Sequence, residues 1–146
     1  MNNKIIIING PNLNLLGERE QSQYGSITFE KLKENCINKS KELGLSIEFT
    51  QSNVEGELVE EIQNARTSQN GLIINAGGYT HTSVAILDAL NAFDGQVIEV
   101  HLSNVHKRES FRHHSYVSLR ADGVIAGLGV QGYKAALEAV MAASHQ

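Results

Sequence analysis

Two residues apart in a short apolar run, Glu99 and His101 are the pair in this sequence best suited to moving a proton. Residues 96–102 alternate as a strand does, so Ile98, Val100 and Leu102 point one way while Glu99, His101 and Ser103 point the other. On a shared face the carboxylate raises the basicity of the imidazole and fixes its orientation, which makes His101 a candidate general acid. A bonded pair at a solvated strand end is the bland alternative. Position favours chemistry, because a buried parallel strand rarely carries such a polar face. The second candidate is Tyr24, in a polar loop over residues 10–26. Gly17 and Gly25 bracket its polar portion, so residues 17–25 read as a hinged lid. Tyrosine titrates near about 10, so service as a base at neutral pH needs a neighbouring cation, which Arg19 can supply. By spacing alone, a surface tyrosine and a surface arginine explain this loop equally well.

Three further groups bear on binding. Asn75 opens a Gly-containing junction, residues 75–83, that leads into a helix whose first-turn amides favour an anion or a hydroxyl-rich ligand. His81 lies there, as a ligand contact or as an ordinary first-turn residue. The junction matches neither a Walker loop nor a dinucleotide fingerprint. Arg108 and Arg112, four apart, offer donors for carboxylate or hydroxyl groups, against the bland reading of a solvated charge run. His101, His106, His113 and His114 lack the spacing of a zinc motif, so no metal is expected.

The elements that must position these groups alternate along the chain. Residues 4–9 form a continuous β-branched strand covered on both faces, followed by a turn at Asn9, Gly10, Pro11 and Asn12. A helix over 28–43 carries Phe29, Leu32, Cys36 and Leu43 and stops at Gly44. Residues 45–50 make a second strand, and Asn53 caps a helix bearing Leu58, Ile62 and Ala65. A strand over 71–75, a helix over 82–90, a strand over 96–102, a strand at Val124, Ile125 and Ala126, and a final helix with Val130, Tyr133, Leu137 and Val140 complete the pattern. Alternation of this kind gives an α/β doubly wound parallel sheet in the flavodoxin-like order 2-1-3-4-5. In such a sheet ligands bind beyond the carboxyl ends of the strands, where the order reverses. Asn9 and Asn75 end the two strands at that point.

With 146 residues, a net charge of −4, one cysteine and no apolar run near membrane length, the chain reads as one cytoplasmic catalytic domain over residues 1–146. Its start is too short for a signal peptide. The negative charge argues against nucleic acid as the main partner. Cys36 reads as buried filler, which leaves no disulfide framework.

These motifs converge on one family. Residues 9–17, Arg19-Glu20 with Tyr24-Gly25, Gln51-Ser52-Asn53 with Glu55-Gly56-Glu57, residues 79–83, residues 99–104 and residues 108–112 resemble, in order, the type II 3-dehydroquinate dehydratases. The resemblance implies a hydro-lyase that converts 3-dehydroquinate to 3-dehydroshikimate through an enolate, without a cofactor, in aromatic biosynthesis or quinate breakdown. It implies that Tyr24 removes the proton beside the ketone, held ionised by Arg19 on lid closure, and that His101, oriented by Glu99, protonates the departing hydroxyl. Asn12 would help hold a water at the enolate oxygen. For the small anionic substrate it assigns Asn75, His81 and Arg112 to hydroxyl groups and the Leu102-Ser103 segment to the carboxylate. Asp88 matches a position that reaches a neighbouring subunit's site, so the resemblance also implies a dodecamer built from trimers. The sequence departs from the pattern at Ala76 and Gln21, where the family often has proline, and at Leu87, where it often has arginine. The first two changes are expected to loosen a turn and the lid, and the third bears on subunit contacts.

Two other readings share the strand order. A receiver-like signalling domain needs acidic strand ends, and Asn9 and Asn75 stand there instead. A flavin carrier needs a Ser/Thr-rich phosphate loop after the first strand, which residues 10–14 do not provide.

Overall fold

β-Branched residues in an unbroken run suit a strand only if both its faces are covered, and the first strand shows how this chain does it. A computed structural model describes residues 3–143, with Gln23 described by its backbone alone. Strand β1 (Lys4–Asn9) sends Ile5 and Ile7 into one core and Ile6 and Ile8 into another. Helices α2 (Phe29–Leu43) and α5 (Val130–Ala143) close the first core with Leu32, Cys36, Tyr133 and Leu137. Helices α3 (Glu55–Ser68) and α4 (Val84–Asn91) close the second with Leu58, Ile62, Ile86 and Leu90. Strands β2 (Ser46–Gln51), β3 (Gly71–Asn75), β4 (Gln96–His101) and β5 (Gly123–Ala126) complete a five-stranded parallel sheet in the order β2-β1-β3-β4-β5, as the alternation predicts. The register sets Gln51, Asn9 and Asn75 side by side, which levels the carboxyl ends of β2, β1 and β3.

Local chemistry explains the element ends. Thr28 accepts from the Lys31 amide at 3.1 Å and caps α2, and Gly44 closes it at φ +73°, a conformation glycine adopts without penalty. Besides shifts of one residue at β2, β4 and β5, three features differ from the sequence reading. Asn53 does not cap α3: Val54 occupies that position, its amide donates to Ser52 Oγ, and the Asn53 side chain turns to residue 12 instead. The helix after β3 begins at Val84, capped by Ser83, because the chain first makes a 3-10 turn over Gly77–His81. The loop over 10–26 contains a 3-10 turn at Leu13–Leu15 and a one-turn helix α1 (Gln21–Tyr24). Among the described residues no helix is long and apolar enough to cross a membrane.

The ends of β1 and β3 approach so closely that only hydrogen fits at residue 10, where a Cβ would lie 2.3 Å from the Ala76 carbonyl oxygen. Gly10→Ala is therefore expected to lower stability by about 1–3 kcal/mol in a denaturant titration, since rigid backbone must move. An unchanged midpoint would contradict this close approach.

Candidate active site

Beyond the level strand ends lies a cavity of about 130 Å³. The segment after β1 supplies Asn12, Arg19 and Tyr24, the turn after β3 supplies Asn75 and His81, and the end of β4 with the chain beyond it supplies His101, Leu102, Ser103, Arg108 and Arg112. Asp88 is not part of this wall. It is exposed on α4, in a separate groove with Val59, Gln63 and Arg66.

Glu99 and His101 are both buried, and His101 Nε2 donates to Glu99 Oε2 at 2.5 Å. Ser115 Oγ donates to the same oxygen at 2.9 Å, and Ser118 Oγ donates to Oε1. Burial alone would push the Glu99 carboxyl up. The hydrogen bonds from His101 and Ser118, the charge of His101 and the bond from Ser115 together bring it below its ordinary value. With Nε2 committed to Glu99, Nδ1 is the His101 nitrogen left for a ligand.

Tyr24 meets a different arginine from the one that sequence spacing suggests. Arg108 donates from its Nη1 to the Tyr24 hydroxyl at 2.8 Å and to Ser103 Oγ at 3.3 Å. Its side chain is only 8 % exposed. Arg108 Nε is buried with no hydrogen-bond partner among the described residues, 3.9 Å from the Glu109 carboxylate. Arg19 instead pairs with Glu20 at 2.9 Å, its guanidinium carbon 5.5 Å from the centre of the Tyr24 ring. Tyr24 and Arg108 are 84 residues apart, so no local spacing could reveal their contact. Gln21, where the resembling family often has proline, donates to the Gly17 carbonyl at 2.8 Å and ties the segment that carries Arg19 and Tyr24 back to Gly17.

Asn12 has φ +69°, a left-handed conformation that asparagine tolerates better than most residues. Its amide donates to Asn53 Oδ1 at 3.0 Å, and Gln51 Nε2 donates to the same oxygen at 3.1 Å. Sequence reasoning gave these two residues no such part. It also placed Tyr133 in an apolar stripe, whereas its hydroxyl donates to Asn9 Oδ1 at 2.6 Å and accepts from Asn75 Nδ2 at 3.0 Å. That bond fixes the Asn75 amide, whose oxygen accepts from the Gly77 amide at 3.2 Å. A tyrosine among helical core residues is the one signal that could have revealed the network, because a buried hydroxyl needs a partner.

His81 Nδ1 donates to the His114 carbonyl at 2.7 Å. Burial, with the positive charge of His101 and Arg112 nearby, holds its pKa below 6.5 despite that bond, so the ring stays neutral and Nε2 is an acceptor. Arg112 Nε donates to Glu109 Oε1 at 3.2 Å. Among the described residues no three His, Cys, Asp or Glu side chains gather as they would around a metal ion.

Comparison with known proteins matches residues 3–141 to the model of a family described as dehydroquinase class II. The chain belongs to this family. It is 57% identical over 140 residues, covering 96% of the chain and 95% of the relative, to a 3-dehydroquinate dehydratase of Cereibacter sphaeroides. Identity is 58% over 142 residues to that of Streptomyces avermitilis, covering 97% and 89%. The crystal structure of type II dehydroquinase from Propionibacterium acnes superposes with a TM-score of 0.93 at 41% identity, covering 97% of this chain and 98% of that one.

The lowered His81 value has a sign that can be checked. The neutral ring is the form the fold favours, so its contribution to stability is present above about pH 6.5 and is lost as pH falls through the lower folded value. An NMR titration is expected to place the His81 midpoint below 6.5, and a midpoint above it would contradict the burial argument.

Proposed function

We propose that this chain eliminates water from 3-dehydroquinate to give 3-dehydroshikimate, through an enolate and without a cofactor. Membership of the dehydroquinase family and the names of its relatives support the reaction. The observation that carries the mechanism is that His101, bonded to Glu99 behind it, lines the same cavity at the carboxyl ends of the strands as the Tyr24–Arg108 pair. Tyr24, ionised beside its arginines, takes the proton on the carbon next to the ketone, and the electron pair moves to the carbonyl oxygen. Asn12, held in its turn by Asn53, helps keep a water that stabilises the enolate. His101 then gives its Nδ1 proton to the departing hydroxyl as the enolate collapses, releasing water and leaving a conjugated enone. Arg108 stands nearer to Tyr24 in this structure, and Arg19 joins it when residues 17–25 close as a lid.

Substrate recognition follows the same walls. The buried Leu102-Ser103 segment takes the carboxylate through its amides, while Asn75, His81 and Arg112 take hydroxyl groups. The chain is read as one catalytic domain, in the cytoplasm. Twelve subunits of 15.9 kDa assemble from trimers, and Asp88, exposed outside its own subunit's cavity, reaches a neighbour's site. The same elimination serves aromatic biosynthesis and quinate breakdown.

Absorbance of the enone formed from 3-dehydroquinate tests the reaction. Formation is expected to persist with a chelator and to fall by at least about a hundredfold in Tyr24→Phe, the scale of a lost general base. No product from folded, assembled protein would overturn the reading, and a Tyr24→Phe variant with full turnover would remove Tyr24 from it. Light scattering should give a dodecamer; a stable monomer would contradict the assembly.

A further inference from the structure

His101 lines a second cavity as well, of about 140 Å³, whose wall includes Glu99 and not Tyr24. Thr80, Ser115, Ser118 and Val124 share that wall, so the carboxylate is not packed wholly in hydrocarbon and hydrogen bonds must hold it there. Its two oxygens carry unequal loads. Oε2 accepts from both His101 and Ser115, whereas Oε1 accepts from Ser118 alone among the described residues. The last torsion of a glutamate is broad and nearly twofold, so a carboxylate held at one oxygen can rotate about it. Rotation here would carry the acceptor away from His101 Nε2.

We infer that Ser118, backed by Ser115, is a positioning residue for the elimination: its hydroxyl locks the Glu99 carboxylate so that His101 turns Nδ1 toward the reacting group. This rests on the dehydratase reading above. The serine is itself well placed. Its amide donates to Ser115 Oγ at 3.0 Å, which closes the turn, and Val117 between them is fully buried beside α3 and α4 residues. The titratable and charged groups around Glu99 are His101 on its own strand, His81 from the turn after β3, and His106, Arg112 and His113 from the chain beyond β4. None of the last three donates to the carboxylate among the described residues, so they cannot replace the serine as a geometric lock.

The test compares Ser118→Ala and Ser118→Thr with wild type in the full assembled protein, with melting curves to confirm the fold. Ser118→Ala is expected to lower kcat about tenfold with KM within about twofold, as loss of one bond to a buried charge implies. The acidic limb of its kcat profile moves to higher pH, because a carboxylate with fewer donors protonates more readily. Ser118→Thr, which keeps the hydroxyl, restores both. In NMR spectra of ligand-free protein the His101 Nε2 proton exchanges faster in Ser118→Ala. A folded Ser118→Ala variant with wild-type kcat, acidic limb and imidazole exchange would overturn the inference, as would an effect on melting alone. If wild type itself fails to turn over, the dehydratase reading is what has failed, and the imidazole spectrum still decides the part of Ser118.

Discussion

A carboxylate buried among strand ends stays charged only while donors surround it, and Glu99, 2 % exposed, imposes that requirement on everything near it. The donors come from His101 on the same strand and from the turn at residues 115–118, a segment the sheet places there by pairing β4 with β5. Once the carboxylate is satisfied, the imidazole has one nitrogen tied and one free. The chemistry of His101 is therefore fixed by packing that precedes any substrate.

The rest of the site divides by rigidity. Asn9, Asn75 and Tyr133 form a closed buried network that joins β1, β3 and α5, so the floor of the cavity is as rigid as the core. Residues 10–26 form the other wall, with Gly17 at φ +88° and Gly25 at φ +77° at either end of the segment that carries Arg19 and Tyr24.

Strand order and the apolar faces of the helices were legible because periodicity is a local signal, and strand-end placement brought Asn75 and His101 to the main cavity. β1 reads from its branched run, and Glu99 with His101 from a two-residue spacing. Contacts between distant segments were not legible. Arg108 reaches Tyr24 across 84 residues, and Ser118 reaches Glu99 across 19. Asn53 misled because its side chain suits a helix cap, yet the left-handed turn at Asn12 uses the same oxygen. Asp88, which the resemblance brings to the site, stands outside the main cavity in a groove with Val59, Gln63 and Arg66.

The central claim is that Tyr24 and His101 act in successive steps on an enolate, and hydrogen exchange separates those steps. In deuterated water His101→Ala should still exchange the substrate proton next to the ketone while making almost no enone, and Tyr24→Phe should do neither. Exchange that persists in Tyr24→Phe, or that vanishes equally in both variants, would contradict the division of labour between the two residues.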